Sequence, residues 1–373
     1  MRVLLCTCTP VSPRLGASKV FLEVAQGYQK LGWECTVVGP EEIAAPGRPG
    51  NLQAQPLLLR DYLVKRAADF DVIEYEHHQL PFPRASFAPR PLFVARSVIL
   101  AHCQLQAGYL PLPGLRGQLG RLIRQGAWRS SAQALVDQAD RTLRSADVIS
   151  ICNTHERDAL VAAGHAPEKI LLQPFGLFPE RLAALAPRSS ARLDPVVIFL
   201  GTFDPRKGMT EFPRIVATIL EAHPNARFRL LGTAGLIPDA RGVLRTFPSA
   251  LRHHLEVVAR FEPAELPQLL DGAALGLFPS HCEGFPFGVL EQLAAGIPVV
   301  AYDAPGPPMM LPNEYLVRRG DAVGLGRVAS ALLGAPEKLA AAQTWARRRA
   351  TEFTWESAIV ATAEAYEARL AAR

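Results

Sequence analysis

The chain has 373 residues, more than one hydrophobic core usually holds, and this length predicts two domains of similar size. Hydrophobic residues make up 49% and charged residues 20% of the sequence, proportions that exclude an intrinsically disordered chain. The net charge of +5 is modest and no basic motif is interleaved with aromatic residues, so a nucleic-acid-binding role is not expected.

Short apolar strands alternate with helical stretches through the first half of the chain. A loop over residues 10–16 follows the first strand, and an amphipathic helix then runs to Leu31, where Gly32 ends it. Such alternation is typical of a parallel sheet covered by helices on both faces. The predicted strands of this half cover residues 3–6, 35–38, 71–75, 91–95, 147–152 and 170–173.

A segment rich in Pro, Ala, Ser and Arg, residues 174–195, interrupts the alternation and is predicted to connect two domains. A second run of strands follows it. The sequence therefore predicts an α/β protein with two doubly wound, Rossmann-like domains facing each other across a cleft, where ligands bind. The second run covers residues 195–201, 227–232, 255–258, 274–278 and 298–301. The expected domains are residues 1–180 and 181–352, followed by a last helix over residues 353–373.

Three features of the sequence bear on where in the cell the protein is located: the length of its apolar runs, its first six residues and one basic segment. No apolar run approaches the ~20 residues that span a bilayer, and the opening six residues are too short for a signal peptide. A cytoplasmic location is therefore expected. Residues 115–131 contain no acid and carry Leu and Trp beside four arginines, so they form either a solvated helix, a contact for an acidic acceptor, or a peripheral contact with an anionic inner-membrane face. The arginines are Arg116, Arg121, Arg124 and Arg129.

Metal and redox signals are weak in this sequence. The six cysteines are scattered in apolar surroundings and predict buried structural thiols, with Cys282 expected at the wall of a pocket. Asp69 and Asp71 resemble a metal-binding Asp-x-Asp pair, but Asp69 ends a helical stretch and Asp71 starts the next strand, far from its carboxyl end, so both are interpreted as structural. No Cys/His set has zinc spacing, so no metal is expected.

The most informative stretch runs from Glu283 to Glu291. Two carboxylates lie eight positions apart around a Gly/Pro turn that opens a helix near Phe287 and Gly288. Helix N-termini bind phosphate through free N–H groups and the helix dipole, and ionised carboxylates accept hydrogen bonds from hydroxyls. A phosphate flanked by hydroxyl-rich groups describes a nucleotide sugar.

Together with the following segment from Gly296 to Asp303, this stretch resembles the donor-site signature of the retaining glycosyltransferases of family 4, which have the two-domain GT-B fold. The resemblance implies that Glu291 holds the ribose and that Glu283 holds and orients the donor sugar. It also implies that the last helix crosses back onto the first domain. The resemblance covers most of the chain, although its specific motifs lie within residues 201–306.

Residues 201–208 resemble the phosphate-binding element of the same family. Lys207 and Gly208 match it, whereas Thr202 stands where the family has an arginine. Arg206 is expected to supply the missing charge, since cations at a strand-to-helix junction can bind a diphosphate. A surface loop that is merely basic is the plainer interpretation.

Other donor contacts follow from the resemblance. Gly232 begins a Gly-x-x-Gly turn expected near the nucleoside, and Phe261 is expected near the base. In the first domain, Gly16 would approach the donor phosphate from the loop after the first strand, and His102 would contact the donor sugar. Each of these residues also has a purely structural interpretation. Gly232 would belong to a plain turn, Gly16 to a loop before a helix, and His102 would be a core or surface histidine.

The family resemblance implies transfer of a hexose-type sugar with retention of anomeric configuration, without a cofactor or a protein nucleophile. The acceptor would be a glycan, a lipid-linked glycan or a small molecule, bound by the first domain through residues 10–16 and 76–83 and the basic segment. Two alternatives stay open. One is a non-catalytic sugar-nucleotide-binding subunit, suggested by Thr202, and the other is a sugar-nucleotide epimerase of the same fold.

Overall fold

The computed structural model describes residues 1–13, 16–44, 55–112, 115–186 and 195–373, with side chains for all of these except residues 16–17 and 115–123. The chain divides into two compact units. Unit 1 comprises Met1–Gln106, Trp128–Gly176 and Trp355–Arg373, and unit 2 comprises Ala107–Ala127 and Leu177–Thr354. No helix among the described residues combines the length and apolarity that a bilayer crossing requires.

Unit 1 is built on a parallel six-stranded sheet in the order β2-β1-β3-β4-β5-β6. Its central strands are buried along their whole length, as expected for a parallel sheet covered on both faces. The strands are β1 (Arg2–Cys6), β2 (Glu34–Val38), β3 (Val72–Glu76), β4 (Leu92–Arg96), β5 (Val148–Ile151) and β6 (Ile170–Leu172). Because β2 and β3 lie on opposite sides of β1, the strand order reverses between β1 and β3.

The helices that accompany this sheet are α1 (Gly16–Lys30), α2 (Pro40–Ile43), α3 (Gln55–Arg66), α4 (Ala101–Ala107), α5 (Leu115–Ser145) and α6 (Thr154–Ala162). Helix α5 begins in unit 2 and ends in unit 1. The last helix of the chain, α14 (Trp355–Ala371), packs against α1. A Cβ on Gly27 would lie 2.5 Å from Cγ1 of Ile359, so the two helices touch closely at this point. Trp355 donates from Nε1 to Glu23 at 3.0 Å and stacks on Phe175.

Unit 2 contains a second parallel six-stranded sheet, in the order β12-β11-β10-β7-β8-β9. Its strands are β7 (Val196–Leu200), β8 (Arg227–Leu231), β9 (Leu255–Val258), β10 (Leu275–Phe278), β11 (Val299–Asp303) and β12 (Leu316–Arg318). The order reverses between the neighbours β7 and β10. Parallel α/β sheets bind ligands outside the carboxyl ends of their strands at such a reversal.

The helices of unit 2 are α7 (Pro179–Leu185), α8 (Phe212–Ala222), α9 (Ala240–Arg245), α10 (Leu266–Leu270), α11 (Phe287–Ala294), α12 (Ala322–Leu333) and α13 (Pro336–Ala350). Helix α8 buries Ile215, Val216 and Ile219, whose spacing places them on one face. Four phenylalanine rings extend this core with centroids 5.0–6.3 Å apart: Phe199, Phe203, Phe212 and Phe247. A closely packed apolar core therefore lies beneath the loops at the edge of the sheet.

The predicted α/β fold class is confirmed, since both halves contain a doubly wound parallel sheet. Two elements were not predicted: helix α7, which lies within the predicted connector, and strand β12. Gly16 was expected in a loop but is the first residue of α1, because the helix begins before the apolar pattern does.

Candidate functional site

The candidate site of unit 2 lies where β7 and β10 end next to each other. The loops after the strands of this sheet contact one another: Gly201 donates its N–H to Leu231, and Phe203 donates to Thr233. Across the reversal, the N–H of His281 donates to the carbonyl of Arg206 at 2.8 Å. The residues after β7 and those after β10 therefore form one continuous edge.

The loop after β7 is shaped by Asp204 and Gly208. Asp204 caps the short 3-10 helix Pro205–Lys207 by accepting the N–H of Lys207 at 3.1 Å, and it also accepts the hydroxyl of Thr202 at 2.7 Å. Gly208 has a φ of 82°, and a Cβ there would lie 2.4 Å from the carbonyl oxygen of Pro279. Only glycine suits this position, which brings the loop directly against the residues after β10.

Glu283 is the centre of the site and is buried. Its Oε1 accepts hydrogen bonds from Nζ of Lys207 at 2.6 Å and from Arg206 at 2.8 Å, and also from the hydroxyl of Ser280. Burial by itself would raise the pKa of Glu283, but the adjacent Lys207 and Arg206 charges outweigh it and hold that pKa below its ordinary value. Glu283 is therefore a carboxylate at neutral pH.

The two cations are held from other directions as well. Arg206 donates to the carbonyl of Cys282 at 2.9 Å, and Nζ of Lys207 lies 5.1 Å from the centre of the Phe278 ring. Burial lowers the pKa of Arg206, but the Glu283 charge outweighs this and leaves the pKa raised. The structure thus brings together the three residues predicted as catalytic, Glu283, Lys207 and Arg206, and their roles stay predictions.

Helix α11 begins at Phe287, immediately after the loop that carries Glu283. A Cβ on Gly288 would lie 2.8 Å from the carbonyl oxygen of Leu200, so the first turn of the helix presses against the end of β7. Glu291 lies one turn further along and pairs with Arg181 at 2.8 Å. The predicted phosphate-binding helix start and both glutamates therefore lie along one edge of unit 2.

The residues predicted near the nucleoside also meet. Gly232 has a φ of 71°, and a Cβ there would lie 3.1 Å from Cε1 of Phe261. A Cβ on Gly235 would lie 3.4 Å from Thr202, so the loop after β8 adjoins the loop after β7. Phe261 therefore lies beside the strand β8 turn, at the same edge as the charged cluster.

Two of the predicted site residues, Gly16 and His102, belong to unit 1. Gly16 opens α1, next to residues 14–15, which lie outside the described range. His102 is buried on α4, and its Nε2 lies 3.0 Å from Oδ1 of Asp140, which also contacts Nε2 of His165 at 2.7 Å. Burial lowers the pKa of His102 although Asp140 lies beside it. In unit 1 the His102 imidazole is thus bonded within the fold.

Among the described residues of unit 1, two groups of side chains offer metal-ligand atoms within 4.8 Å of one another: Cys8, Glu76 and His78, and His102, Asp140 and His165. Their N, O and S donors suit a transition metal. Ligation through Nε2 would place the His102 hydrogen on Nδ1, which is buried without an acceptor in the described part of the chain. If Nε2 instead carries the hydrogen and donates it to Asp140, Nδ1 keeps only a lone pair, which costs less than a buried N–H without an acceptor. At His102, the hydrogen bond to Asp140 is therefore favoured over metal ligation.

Several other predictions concern residues away from these sites. Asp69 pairs with Arg66 and Asp71 with Arg90, so each has a structural partner. Cys282 is buried beside Glu283. In the basic segment, the Arg124 and Arg129 side chains are exposed, whereas those of residues 115–123, which include Arg116 and Arg121, lie outside the described side chains.

Sequence reasoning missed three residues of this site. Asp204 could have been found, because an Asp before a Pro is a helix N-terminal signal. Ser280 carries no signal of its own, and its contact with Glu283 follows from the turn. Arg181 lies in the connector and reaches Glu291 across 110 positions, a distance that no local pattern reports.

Comparison with known protein families gives a match within the second half of the chain. Residues 194–334 match the family model described as glycosyl transferases group 1. This segment is similar to the group 1 glycosyltransferases. The family resemblance stated above is thereby confirmed for the segment that carries Lys207, Glu283 and Glu291.

Curated relatives agree with the family model. The chain is 31% identical over 242 residues to a D-inositol 3-phosphate glycosyltransferase of Segniliparus rotundus, covering 58% of this chain and 53% of that protein. A protein with the same description from Streptomyces scabiei is 27% identical over 248 residues, covering 61% and 55%. The chain spans about half the length of the curated relatives it matches.

Solved structures show the fold over the full length. Sucrose-phosphate synthase of Thermosynechococcus elongatus superposes with a TM-score of 0.74 at 17% identity, covering 100% of both chains. HepE of Anabaena, determined in complex with UDP, gives 0.71 at 16% identity, covering 99% of this chain and 100% of that one. The predicted GT-B fold class is thus confirmed.

Proposed function

We propose that the chain is a glycosyltransferase that moves a hexose-type sugar from a nucleoside-diphosphate sugar to a hydroxyl acceptor, with retention of anomeric configuration. One observation carries the proposal. Two cations converge on the buried Glu283 carboxylate at the strand-order reversal of unit 2, and Glu291 lies on the helix that starts beside them. We assign separate groups along this edge to a sugar, a diphosphate and a ribose.

The chemistry assigns a task to each group. Cleavage of the bond to the diphosphate builds positive charge on the sugar and negative charge on the leaving group. Lys207 and Arg206, together with the start of α11, would stabilise the departing charge with donors that are already in place. Glu283, held ionised by those cations, would accept sugar hydroxyls and orient the ring. We propose no cofactor, no metal and no protein nucleophile for this reaction.

The comparisons support a choice of ligand for the first test. HepE has been crystallised with UDP, with UDP and glucose, and with UDP-glucose, which makes UDP the first donor nucleotide to try. The curated relatives act on D-inositol 3-phosphate by their descriptions, so a polyol or glycan acceptor is proposed here. We further propose that unit 1 binds this acceptor and that the protein works in the cytoplasm, with peripheral membrane contact through the basic segment.

Calorimetric titration with UDP, GDP and ADP, followed by the matching nucleotide sugars, tests the proposal. We expect saturable binding of one diphosphate, with the affinity reduced at least tenfold in Lys207→Ala and Glu291→Ala. Glu283→Ala should weaken binding of the nucleotide sugar more than binding of the diphosphate, because its carboxylate is assigned to the sugar. Glu256→Ala is the control, since this exposed carboxylate of unit 2 pairs with Arg229 on β8.

A non-catalytic nucleotide-binding subunit is the second candidate, and one contact favours it. Thr202, which stands where the family has an arginine, gives its hydroxyl to Asp204 and so serves the turn. Such a subunit would bind the nucleotide sugar without turnover when acceptors are supplied. Release of nucleotide that depends on an added acceptor would exclude it, and failure of all three diphosphates to bind would contradict the proposed function itself.

A further inference from the structure

Arg181 joins two parts of the candidate donor site that are far apart in sequence. From α7, one terminal nitrogen of its guanidinium donates to Oε1 of Glu291 at 2.8 Å, and the other donates to the carbonyl oxygen of Pro263 at 2.7 Å. Pro263 lies two residues after Phe261. The arginine therefore ties the helix that carries Glu291 to the loop expected beside the base.

The environment of this contact makes it stronger than a surface ion pair. The Arg181 side chain is 23% exposed and that of Glu291 is 14% exposed, so water screens the pair only partly. Hydrogen bonds between charged partners in such a setting are about twice as strong as neutral ones. The planar guanidinium also fixes the directions of its two bonds, which a lysine ammonium cannot do.

The contact leaves part of Glu291 available. Arg181 occupies Oε1, while Oε2 has no hydrogen-bond partner within the residues that the structure describes. An ionised carboxylate accepts several hydrogen bonds, so Glu291 can be held by Arg181 and still accept ribose hydroxyls. Held in this way, the carboxylate keeps one orientation and does not have to be ordered by the ligand.

We propose that Arg181 is a positioning residue for the donor nucleotide. It holds Glu291 in the orientation that accepts the ribose hydroxyls, and it sets the spacing between that carboxylate and the loop after β9. This inference rests on the proposed function, because it presumes that unit 2 binds a nucleoside diphosphate. It adds that recognition of the ribose depends on a residue outside the family signature.

The test uses calorimetry on the full chain with the nucleoside diphosphate that the wild type binds and with its 2′-deoxy analogue. The wild type should prefer the ribose form, because Glu291 accepts its hydroxyls. Arg181→Met should weaken binding of the ribose form roughly tenfold and abolish that preference, whereas Arg181→Lys should retain part of both. In a Glu291→Ala background, Arg181→Met should add little, since the two residues act through one contact.

A matched control is available in the same unit. Arg229 also donates to one carboxylate, Glu256 at 2.8 Å, and to one carbonyl, Leu269 at 2.6 Å, but it lies within strand β8. Arg229→Met removes the same kind of two-point contact and should leave affinity and ribose preference unchanged. Circular dichroism of every variant checks that it is folded. If Arg181→Met does not fold, Arg181→Lys replaces it in the comparison with the wild type.

The outcomes separate the two proposals. If the wild type binds none of the diphosphates, the proposed function fails before Arg181 is tested. If the wild type binds one, but Arg181→Met keeps its affinity or its ribose preference, the positioning role is wrong. A wild type that binds both forms equally also overturns the inference, because Glu291 would then not read the ribose.

Discussion

The ionisation of Glu283 illustrates how single residues decide the chemistry of this site. Burial alone would favour a neutral acid, yet two cations lie within 2.8 Å of its Oε1 and keep the carboxylate charged. A neutral acid could donate a hydrogen bond but would not balance the two cations. The charges of Glu283, Lys207 and Arg206 therefore stabilise unit 2 by pairing with one another. Together they carry one net positive charge, which suits an anionic ligand.

The charged state of Glu283 has a consequence for stability against pH. Because its pKa is lower in the folded protein than the ordinary value of about 4.3, it stabilises the fold above that value, and this stabilisation disappears as pH falls through the folded pKa. Glu283→Gln should lower the free energy of unfolding of unit 2 by about 1–3 kcal/mol at pH 7. Urea unfolding at several pH values should show this difference shrinking below pH ~4.3.

Glu256→Gln provides the comparison for that experiment. Glu256 also pairs with an arginine of unit 2, but its side chain is 58% exposed, and exposed ion pairs contribute little. Its substitution should change the unfolding free energy by less than about 1 kcal/mol at any pH. A difference between wild type and Glu283→Gln that stays constant down to pH 3 would show that the charge of Glu283 is not responsible.

Among the helices and strands, those with a periodic or apolar sequence pattern were predicted correctly. Eleven strands were predicted from apolar runs, and the structure contains each of them. Strand β12 was missed because it has only three residues and includes an exposed arginine, so it carries no apolar run. Helix α7 was missed because the composition around it is typical of a connector. The loop contact between Gly208 and Pro279 depends on the pairing of β7 with β10, which no local pattern contains.

The turn after β7 gives the prediction for this scale. Gly208→Ala should destabilise unit 2 through two effects, a φ of 82° and a clash with the Pro279 carbonyl at 2.4 Å. Gly320→Ala isolates the first effect, because Gly320 has a φ of 83° and nothing within 4 Å of its Cβ position. We expect Gly320→Ala to cost about 1–2 kcal/mol in chemical denaturation and Gly208→Ala clearly more. If both variants lose the same stability, the loops after β7 and β10 can move apart to accommodate the Cβ at position 208 without an energetic cost.

For the molecule as a whole, the two units are not simply consecutive in sequence. After unit 2, residues Trp355–Arg373 return to unit 1. Their helix α14 buries Trp355, Ile359 and Tyr366, and Arg96 of β4 donates to the hydroxyl of Tyr366. Unit 1 is therefore incomplete until residues 355–373 have been synthesised, whereas the sheet of unit 2 contains none of these residues.

Adjacent positions on α14 can separate packing from a general effect on the helix. Ile359 is buried against Gly27, whereas Val360 is 43% exposed. Ile359→Asp places a charge in the core of unit 1 and should destabilise it by several kcal/mol. Val360→Asp makes the same chemical change on the outer face and should remain within about 0.5 kcal/mol of the wild type in thermal denaturation. Similar losses in both variants would contradict the packing described for this helix.

Removing the last helix tests the division of the chain directly. A chain ending at Thr354 lacks the side chains that cover α1 and β4, so unit 1 should expose apolar surface and become sensitive to protease. Unit 2 keeps its whole sheet and its charged cluster, so we expect its segments to be digested no faster than in the full chain. Limited proteolysis followed by mass spectrometry measures both. Cleavage distributed equally over residues 1–176 and 195–354 would show that the helix stabilises the whole molecule and not unit 1 alone.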